Sequence, residues 1–261
     1  MNRLERMREE NPLVICITND VVKNFTANGM LAIGASPIMS GEITESEDLM
    51  KAASALLINI GTADRAKVHL MDEMMEAADD NGVPIVFDPV GFGASRFRVD
   101  VTEDLLARHK VALIKGNAGE MLALSGSESR MKGVDSVEKT NTAEIAEAVY
   151  RKYGVPALVT GEKDALATEH GVTTMVNGHG LQGKITGSGC LLGAITAAFI
   201  GTSDTFERNA VVDAVSYYNL CAEAAAGKCA IPAPGSFIAG LIDELYLNDD
   251  TLLEDSIVGG L

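Results

Sequence analysis

The sequence predicts one α/β domain built on a largely parallel sheet, and three observations carry that reading. Short apolar runs of strand length alternate with longer stretches of helical periodicity, the pattern of repeated βαβ units. The chain is aromatic-poor and glycine-rich, with five Tyr, seven Phe, no Trp and 26 Gly in 261 residues. That mixture suits buried parallel strands under Ala-rich helices better than an aromatic-rich sandwich. No Pro/Ser-rich linker divides the chain, and at 47% hydrophobic residues it holds enough apolar mass for one large core.

The elements follow in order. Residues 3–9 read as a short charged helix stopped by Pro12, and Leu13 to Ile17 is an apolar strand closed by the polar turn Thr18-Asn19-Asp20. Residues 21–33 have helical spacing, weakened by Gly29, and residues 35–39 form a short strand. Thr44, with Glu47 three residues on, reads as the cap of the next helix. Residues 55–60 are a strand ended by Gly61-Thr62. Residues 65–80 are a helix with Met71, Met74, Met75 and Ala78 on one face, stopped at Asn81-Gly82. Residues 84–87 form a strand that runs into Asp88. Then come a helix at 101–108, a strand at 111–114 and a helix at 117–124. The polar stretch Ser125 to Asn141 reads as a surface insertion, followed by an amphipathic helix from Thr140 to Tyr153 and a strand at 156–159. Alternating runs at 165–168 and 172–176 flank His170-Gly171 as a hairpin. The remainder is helical at about 189–200, 205–226 and 234–246.

Charge and cysteine usage exclude several function classes. The formal charge of −16, from 37 acids against 21 bases, opposes nucleic-acid backbones and anionic membranes, and no Lys/Arg cluster offsets it. Cysteines 16, 190, 221 and 229 have no CxxC spacing and no His ladder for structural zinc. The first 11 residues lack an apolar signal core and no apolar run is long enough to span a bilayer, so a cytoplasmic setting is expected.

Parallel sheets bind ligands beyond the carboxyl ends of their strands. Polar and Gly-rich residues collect at those ends: Thr18-Asn19, Asn59 to Gly61, Asp88-Pro89, Lys115-Gly116-Asn117 and Thr160-Gly161. Two glycine patterns mislead. Gly178 to Gly183 (GHGLQG) matches GxGxxG, but it follows a hairpin rather than the first strand. Extended to Lys184 it resembles a phosphate loop but lacks the Ser or Thr that ligates magnesium. It reads as a loop near the site.

The chemistry centres on Thr186-Gly187-Ser188-Gly189-Cys190, followed at once by LLGAITAAFI. A buried helix beginning there presents uncapped N–H groups and the positive end of its dipole, a site for phosphate made by Gly187, Ser188 and Gly189. Cys190, in the first turn, either has a lowered pKa and handles the proton of an attacking hydroxyl, or packs as a small buried hydrophobe. Asp88 and Glu120 are the two acids placed to serve magnesium, which takes few protein carboxylates, or they cap helices. Lys115 is a candidate phosphate cation or a surface lysine. Thr18, Asn19, Asn24 and Asn28, beside Val21, Val22, Met30 and Met39, either line a pocket for a small ring or serve as caps.

Taken together, CITNDVVKNFTANGMLAIGASPIMS (16–40), LLINIGT (56–62), FDPVGFGAS (87–95), IKGNAGE (114–120), LVTGEKDALA (158–167) and ITGSGCLLGA (185–194) resemble the hydroxyethylthiazole kinases of the ribokinase-like superfamily, in order across residues 11–248. The resemblance implies a three-layer α/β/α fold with a largely parallel sheet, a single domain over 1–261, and a homotrimer with active sites at subunit interfaces. It implies transfer of the γ-phosphoryl of ATP, with Mg2+, to 4-methyl-5-(2-hydroxyethyl)thiazole in thiamine salvage. Met39, Gly187 and Asn19 then meet the thiazole alcohol, Lys115 and Thr160 meet ATP, Asp88 and Glu120 serve the metal, and Cys190 is the catalytic cysteine. Three departures stand out: Lys115 where the family has Arg, Ser188 within GSG for GTG, and Ile15, where a His commonly precedes the Cys, which bears on the substrate pocket. A same-fold kinase or hydrate dehydratase with another small substrate is the nearest alternative, and a non-catalytic nucleotide-binding protein is the alternative of another class.

Overall fold

The computed structural model of the chain describes residues 2–126, 141–228, 231 and 233–260. In chain order the elements are α1 (Arg3–Glu10), β1 (Leu13–Ile17), α2 (Lys23–Ile33), β2 (Ser36–Ile38), α3 (Ser46–Ala52), β3 (Ala55–Asn59), α4 (Arg65–Asn81), β4 (Ile85–Asp88), α5 (Arg96–Arg108), β5 (Leu113–Asn117) and α6 (Ala118–Ser125). After them come α7 (Thr142–Tyr153), β6 (Ala157–Thr160), β7 (Asp164–Thr168), β8 (Gly171–Met175), α8 (Ser188–Ile200), α9 (Arg208–Lys228), α10 (Pro234–Leu247) and β9 (Val258–Gly260). Apart from its two ends, the stretch read as a surface insertion, Ser125 to Asn141, lies outside the described residues.

The strands form one sheet in the order β2-β1-β3-β4-β5-β6-β7-β8-β9. The first six pair in parallel and the last three join antiparallel, with β7 and β8 forming the expected hairpin. Alternate strand residues feed opposite faces. Val14, Cys16, Leu57, Val86, Leu113 and Leu158 pack under residues of α1, α2, α8, α9 and α10. Their neighbours Ile15, Ile17, Leu56, Ile58, Ile85 and Phe87 pack against α3, α4 and α5, and Ile114, Ala157 and Val159 against α6 and α7. The result is the three-layer α/β/α architecture. From β1 the chain steps outward to β2 and then back across to β3, so the carboxyl ends of β1 and β3 flank a topological switch point, where open parallel sheets form a ligand crevice.

Several local expectations change. Thr44 is not the helix cap: Ile43–Glu45 is a 3-10 turn whose cap is Glu42, accepting the Thr44 N–H at 3.1 Å. Helix α5 starts a full turn before 101, because Ser95 accepts the Arg98 N–H. Strand β5 runs on through Lys115-Gly116-Asn117, which looked like a turn, and this carries Lys115 into the sheet. Gly29 sits inside α2 because α8 crosses there; a Cβ at 29 would lie 2.5 Å from the Leu191 Cδ1. Ile15 is fully buried on the α3–α4 face, away from α8. Its side chain therefore does not shape the pocket at the strand ends, contrary to the sequence reading. The short Val-Gly-Gly strand β9 has no strand signal of its own and is held by pairing with β8.

Candidate active site

Four strands deliver polar residues to one place. Asn19 follows β1, Asn59 ends β3, Asp88 ends β4 and Lys115 lies within β5. Helix α8 runs over these ends because its sequence is apolar all round, and nearly every residue from Leu191 to Ile200 is buried. Gly193 permits the close approach: a Cβ there would stand 3.3 Å from Leu57 Cδ1 and 3.7 Å from Asp88 Oδ2. At its start Gly187 adopts the left-handed region with φ 89°, and no side chain caps the helix. The first intrahelical bond runs from the Leu191 N–H to the Gly187 carbonyl at 2.8 Å. The N–H groups of Ser188, Gly189 and Cys190 precede it, as the donors of a first helical turn do, and they form an anion cradle.

A continuous polar chain lies beneath that cradle. The Lys115 ammonium donates to Gly189 O at 2.8 Å and to Asp88 Oδ2 at 3.1 Å. The Asn59 amide donates to the same Asp88 oxygen at 3.2 Å and to Cys190 Sγ at 3.3 Å, while its own oxygen accepts the Gly61 N–H. Asn19 donates to Cys190 Sγ at 3.2 Å and to Asn59 Oδ1 at 3.4 Å. Asp88 and Lys115 are only 1% and 3% exposed, so this is a desolvated ion pair, not a surface one. Burial pushes the Asp88 carboxyl up to about 6, with Lys115 opposing and Glu120 adding to the rise. Burial also works to discharge Lys115, but Asp88, Cys190 and Glu120 together hold its ammonium above the ordinary range.

Cys190 departs from the sequence expectation. The helix start was expected to lower its pKa; the thiol is instead raised, first by burial and then by the Asp88 charge, against the weaker pull of Lys115, Asn59 and Asn19. The group at neutral pH is a thiol that accepts two amide N–H bonds.

Beside this chain opens a cleft of about 630 Å³, whose lining includes Asp88, Lys115, Glu120, Thr160, Gly187, Ser188, Gly189 and Cys190. Thr160 ends β6, and its hydroxyl is directed at the Gly116 carbonyl at 3.4 Å. Glu120 closes a capping box with Asn117 and accepts the Gly91 N–H at 2.7 Å, which fixes its carboxylate at the cleft edge. Ser188 turns its hydroxyl inward to Tyr218 at 2.9 Å, so its backbone N–H alone faces a phosphate. Asn19 reaches the centre only through Cys190 and Asn59. Met39 sits past β2, packed on the α8 side of the core and outside the cleft lining. Asn24 and Asn28 share one face of α2, as their spacing predicts, but that face is exposed and they bond each other. Lys184 is exposed and is not part of the lining.

Two features escaped sequence reasoning. Asn59 was visible only as a polar strand end, yet it joins Asp88 to Cys190. Asp164 and Asn219 line the cleft as a buried pair; Asp164 is pushed up to about 6 by burial, against the Gly161 N–H and the Asn219 amide. The only signal for Asn219 was a lone amide in an apolar helical run.

The donor set fits magnesium. Asp88 Oδ1 is buried with no hydrogen-bond partner, and Glu120 borders the same cleft. Among the described residues no cluster of three or more His, Cys, Asp or Glu is placed to cage a metal. Two carboxylates with room for water is the arrangement Mg2+ prefers.

The sequence model of the hydroxyethylthiazole kinase family matches residues 4–250. The chain is 44% identical over 246 residues to a hydroxyethylthiazole kinase of Staphylococcus saprophyticus, covering 94% of each protein. The solved structure of a hydroxyethylthiazole kinase protein from Pyrococcus horikoshii OT3 superposes with a TM-score of 0.88 at 36% identity, covering 99% of this chain and 97% of that one. A ribokinase-like superfamily protein from Enterococcus faecalis V583, at a TM-score of 0.66 and 11% identity over 94% of each chain, shares the fold alone.

Proposed function

The chain belongs to the hydroxyethylthiazole kinase family, and on that premise we propose that its cleft transfers the γ-phosphoryl of ATP to the hydroxyl of 4-methyl-5-(2-hydroxyethyl)thiazole, as in thiamine salvage. The observation that carries the reading is the Cys190–Asn59–Asp88–Lys115 chain lying under an uncapped helix start. Phosphoryl transfer asks a protein mainly for positioning and charge stabilisation, and this centre supplies both. The N–H groups of Ser188, Gly189 and Cys190 receive the oxygens of the moving group. Lys115 places a buried positive charge behind Gly189 and, with Thr160, meets ATP. Asp88 and Glu120 would hold Mg2+, which when bound offsets the charge of the phosphates. Gly187 meets the alcohol in the cleft, Asn19 acts on it through Cys190, and Met39, outside the cleft lining, is assigned to it by the family resemblance alone. Cys190, held as a neutral thiol, orients that alcohol; a loose transition state needs little base, and the hydroxyl proton passes to an oxygen of the transferred phosphoryl group and on to solvent.

The active assembly is a homotrimer with sites at subunit interfaces. Val21, just before α2, and Leu31, near its end, are 74% and 61% exposed and flank the exposed Asn24 and Asn28 at helical spacing, an apolar-edged face suited to cover by a neighbour. A cytoplasmic setting belongs to the same reading. The described cysteines are all unpaired, as in a reducing compartment, and no described helix is long and apolar enough to cross a membrane.

The deciding experiment is ADP release from Mg-ATP with a panel of small alcohols, including the thiazole and a pyrimidine alcohol. Preferred turnover of the thiazole is expected; preference for another alcohol would sink the substrate assignment. Cys190→Ala should lower kcat by about tenfold, the value of one orienting hydrogen bond, and leave the shape of the pH profile unchanged. Loss of a basic limb in that variant would restore a proton-transfer role.

The acid side follows from Asp88. Its carboxyl, raised to about 6 in the free protein, is neutral below that pH and charged above it. Because kcat/KM reports groups of the free enzyme, kcat/KM for ATP should rise with pH through a midpoint near 6 and level off above it. A flat profile down to pH about 5 would count against an ionised Asp88 as the working form.

A further inference from the structure

The cleft has a second polar chain that the mechanism above does not use. Asp164, at the start of β7, accepts the Gly161 N–H on Oδ1 at 3.0 Å and the Asn219 amide on Oδ2 at 2.7 Å. Asn219, within α9, accepts the Gln182 amide on its own oxygen at 3.0 Å. The Gln182 oxygen in turn accepts the His179 N–H at 2.8 Å, within the 3-10 turn Gly180–Lys184 and its cap. Asp164 and Asn219 are 5% and 3% exposed, so these bonds are made out of water.

The path of this chain gives it meaning. Gly161 belongs to the turn that follows Thr160 on one side of the cleft, and Gln182 belongs to the glycine-rich segment on the other. Gly161 lies in a short turn, and Gly180–Lys184 is a 3-10 turn that meets the core through Leu181. Asn219 sits between them on α9, which is buried along most of its length and therefore fixed. The segment is also closely fitted to it: a Cβ at Gly178 would lie 3.1 Å from Gln182 Oε1 and 3.5 Å from Asn219 Cγ. The two walls are thus joined through the Asn219 amide to one buried helix, whose Glu223 also accepts the Gly178 N–H at 2.8 Å.

We propose that Asn219 is a positioning residue for the nucleotide: through Asp164 and Gln182 it clamps the Gly161 turn and the Gly180–Lys184 segment at the separation that ATP requires. This rests on reading the cleft as the ATP site. It assigns a task to the GHGLQG segment that neither a dinucleotide fingerprint nor a phosphate loop explains. Asn219 touches no reacting atom in this scheme and acts through the two walls.

The test compares four proteins: wild type, Asn219→Ala, Gln182→Ala, and the double exchange Asp164→Asn with Asn219→Asp. The exchange reverses donor and acceptor in the central bond yet keeps every bond of the chain and the net charge. Each is measured for binding of a non-hydrolysable ATP analogue by calorimetry, for KM of ATP and of the thiazole alcohol, and for kcat. Asn219→Ala should weaken analogue binding and raise the ATP KM by about tenfold, with the KM of the alcohol unmoved. Gln182→Ala, which frees only one wall and lies at the surface of the fold, should raise the ATP KM by about three- to fivefold. The double exchange should return to within about threefold of wild type. A merely structural network would lower the melting temperature and leave the nucleotide KM in place, and that result in Asn219→Ala or in Gln182→Ala overturns the proposal. So does an exchange no better than Asn219→Ala, and so does a wild type that fails to bind the analogue. A wild type that binds the analogue but does not phosphorylate the thiazole alcohol defeats the kinase reading alone, and the clamp is still decided by the binding series.

Discussion

Asp88→Asn is expected to fold and to lose turnover by about a thousandfold, the scale of removing a preorganised electrostatic group from a water-excluded site. The substitution keeps the shape of the side chain, so packing under Gly193 is preserved. What changes is charge. Lys115, 3% exposed, loses the carboxylate that holds its ammonium in place, and the oxygen that Asn59 and Lys115 both address becomes neutral or is replaced by an NH2 donor. The partnerless Oδ1, which would be available to a metal, also loses its formal charge. Added magnesium should recover little of the activity, because the defect lies in the donor set and in the buried lysine together. Turnover within about tenfold of wild type would remove Asp88 from the centre of the mechanism.

The second large effect is expected at Gly187. Its φ of 89° costs a non-glycine residue about 1–2 kcal/mol. A methyl group there would stand 2.5 Å from Val22 Cγ1 and 2.9 Å from Val22 Cβ. Rotating Val22 cannot relieve the second contact, since Cβ does not move with the rotamer, so the turn itself must shift at a further cost of about 1–3 kcal/mol. The shift displaces the Ser188, Gly189 and Cys190 donors together, and a misplacement approaching 1 Å lowers catalysis by about a hundredfold. Gly187→Ala should therefore reduce both kcat and thermal stability. Ser188→Ala is the contrasting variant. It deletes the hydroxyl that faces Tyr218 but leaves all three N–H groups, so kcat should stay within about threefold while the melting temperature falls. If the two variants lost activity equally, the cradle would depend on the serine hydroxyl and not on the backbone.

How far the sequence could be read depended on how far apart the interacting residues lie. The strands at 13–17, 55–59 and 85–88 declare themselves as apolar runs ending in polar residues, and the parallel sheet then places those ends together without further information. The Gly187–Cys190 turn declares itself because an apolar helix follows it directly. Lys115 was harder: Lys-Gly-Asn has turn composition, and only its pairing with Leu158, Val159 and Thr160 extends it as strand. The direction of the Cys190 shift was not legible. The helix start is visible in the sequence, but burial and the nearby Asp88 charge, which outweigh it, come from tertiary packing. Ile15 is linked to the pocket only by the resemblance, as the position where a His commonly precedes the Cys; strand alternation turns it to the opposite face. The clamp residues Asp164, Gln182 and Asn219 lie on three separate elements, and no local pattern links them.

The most direct test of the account is a single reaction of the purified protein with Mg-ATP and 4-methyl-5-(2-hydroxyethyl)thiazole in which thiazole phosphate and ADP are both quantified. The account predicts equal amounts of the two products from wild type, and neither above background from Asp88→Asn. ADP without thiazole phosphate, or full and equal yields from Asp88→Asn, would contradict it.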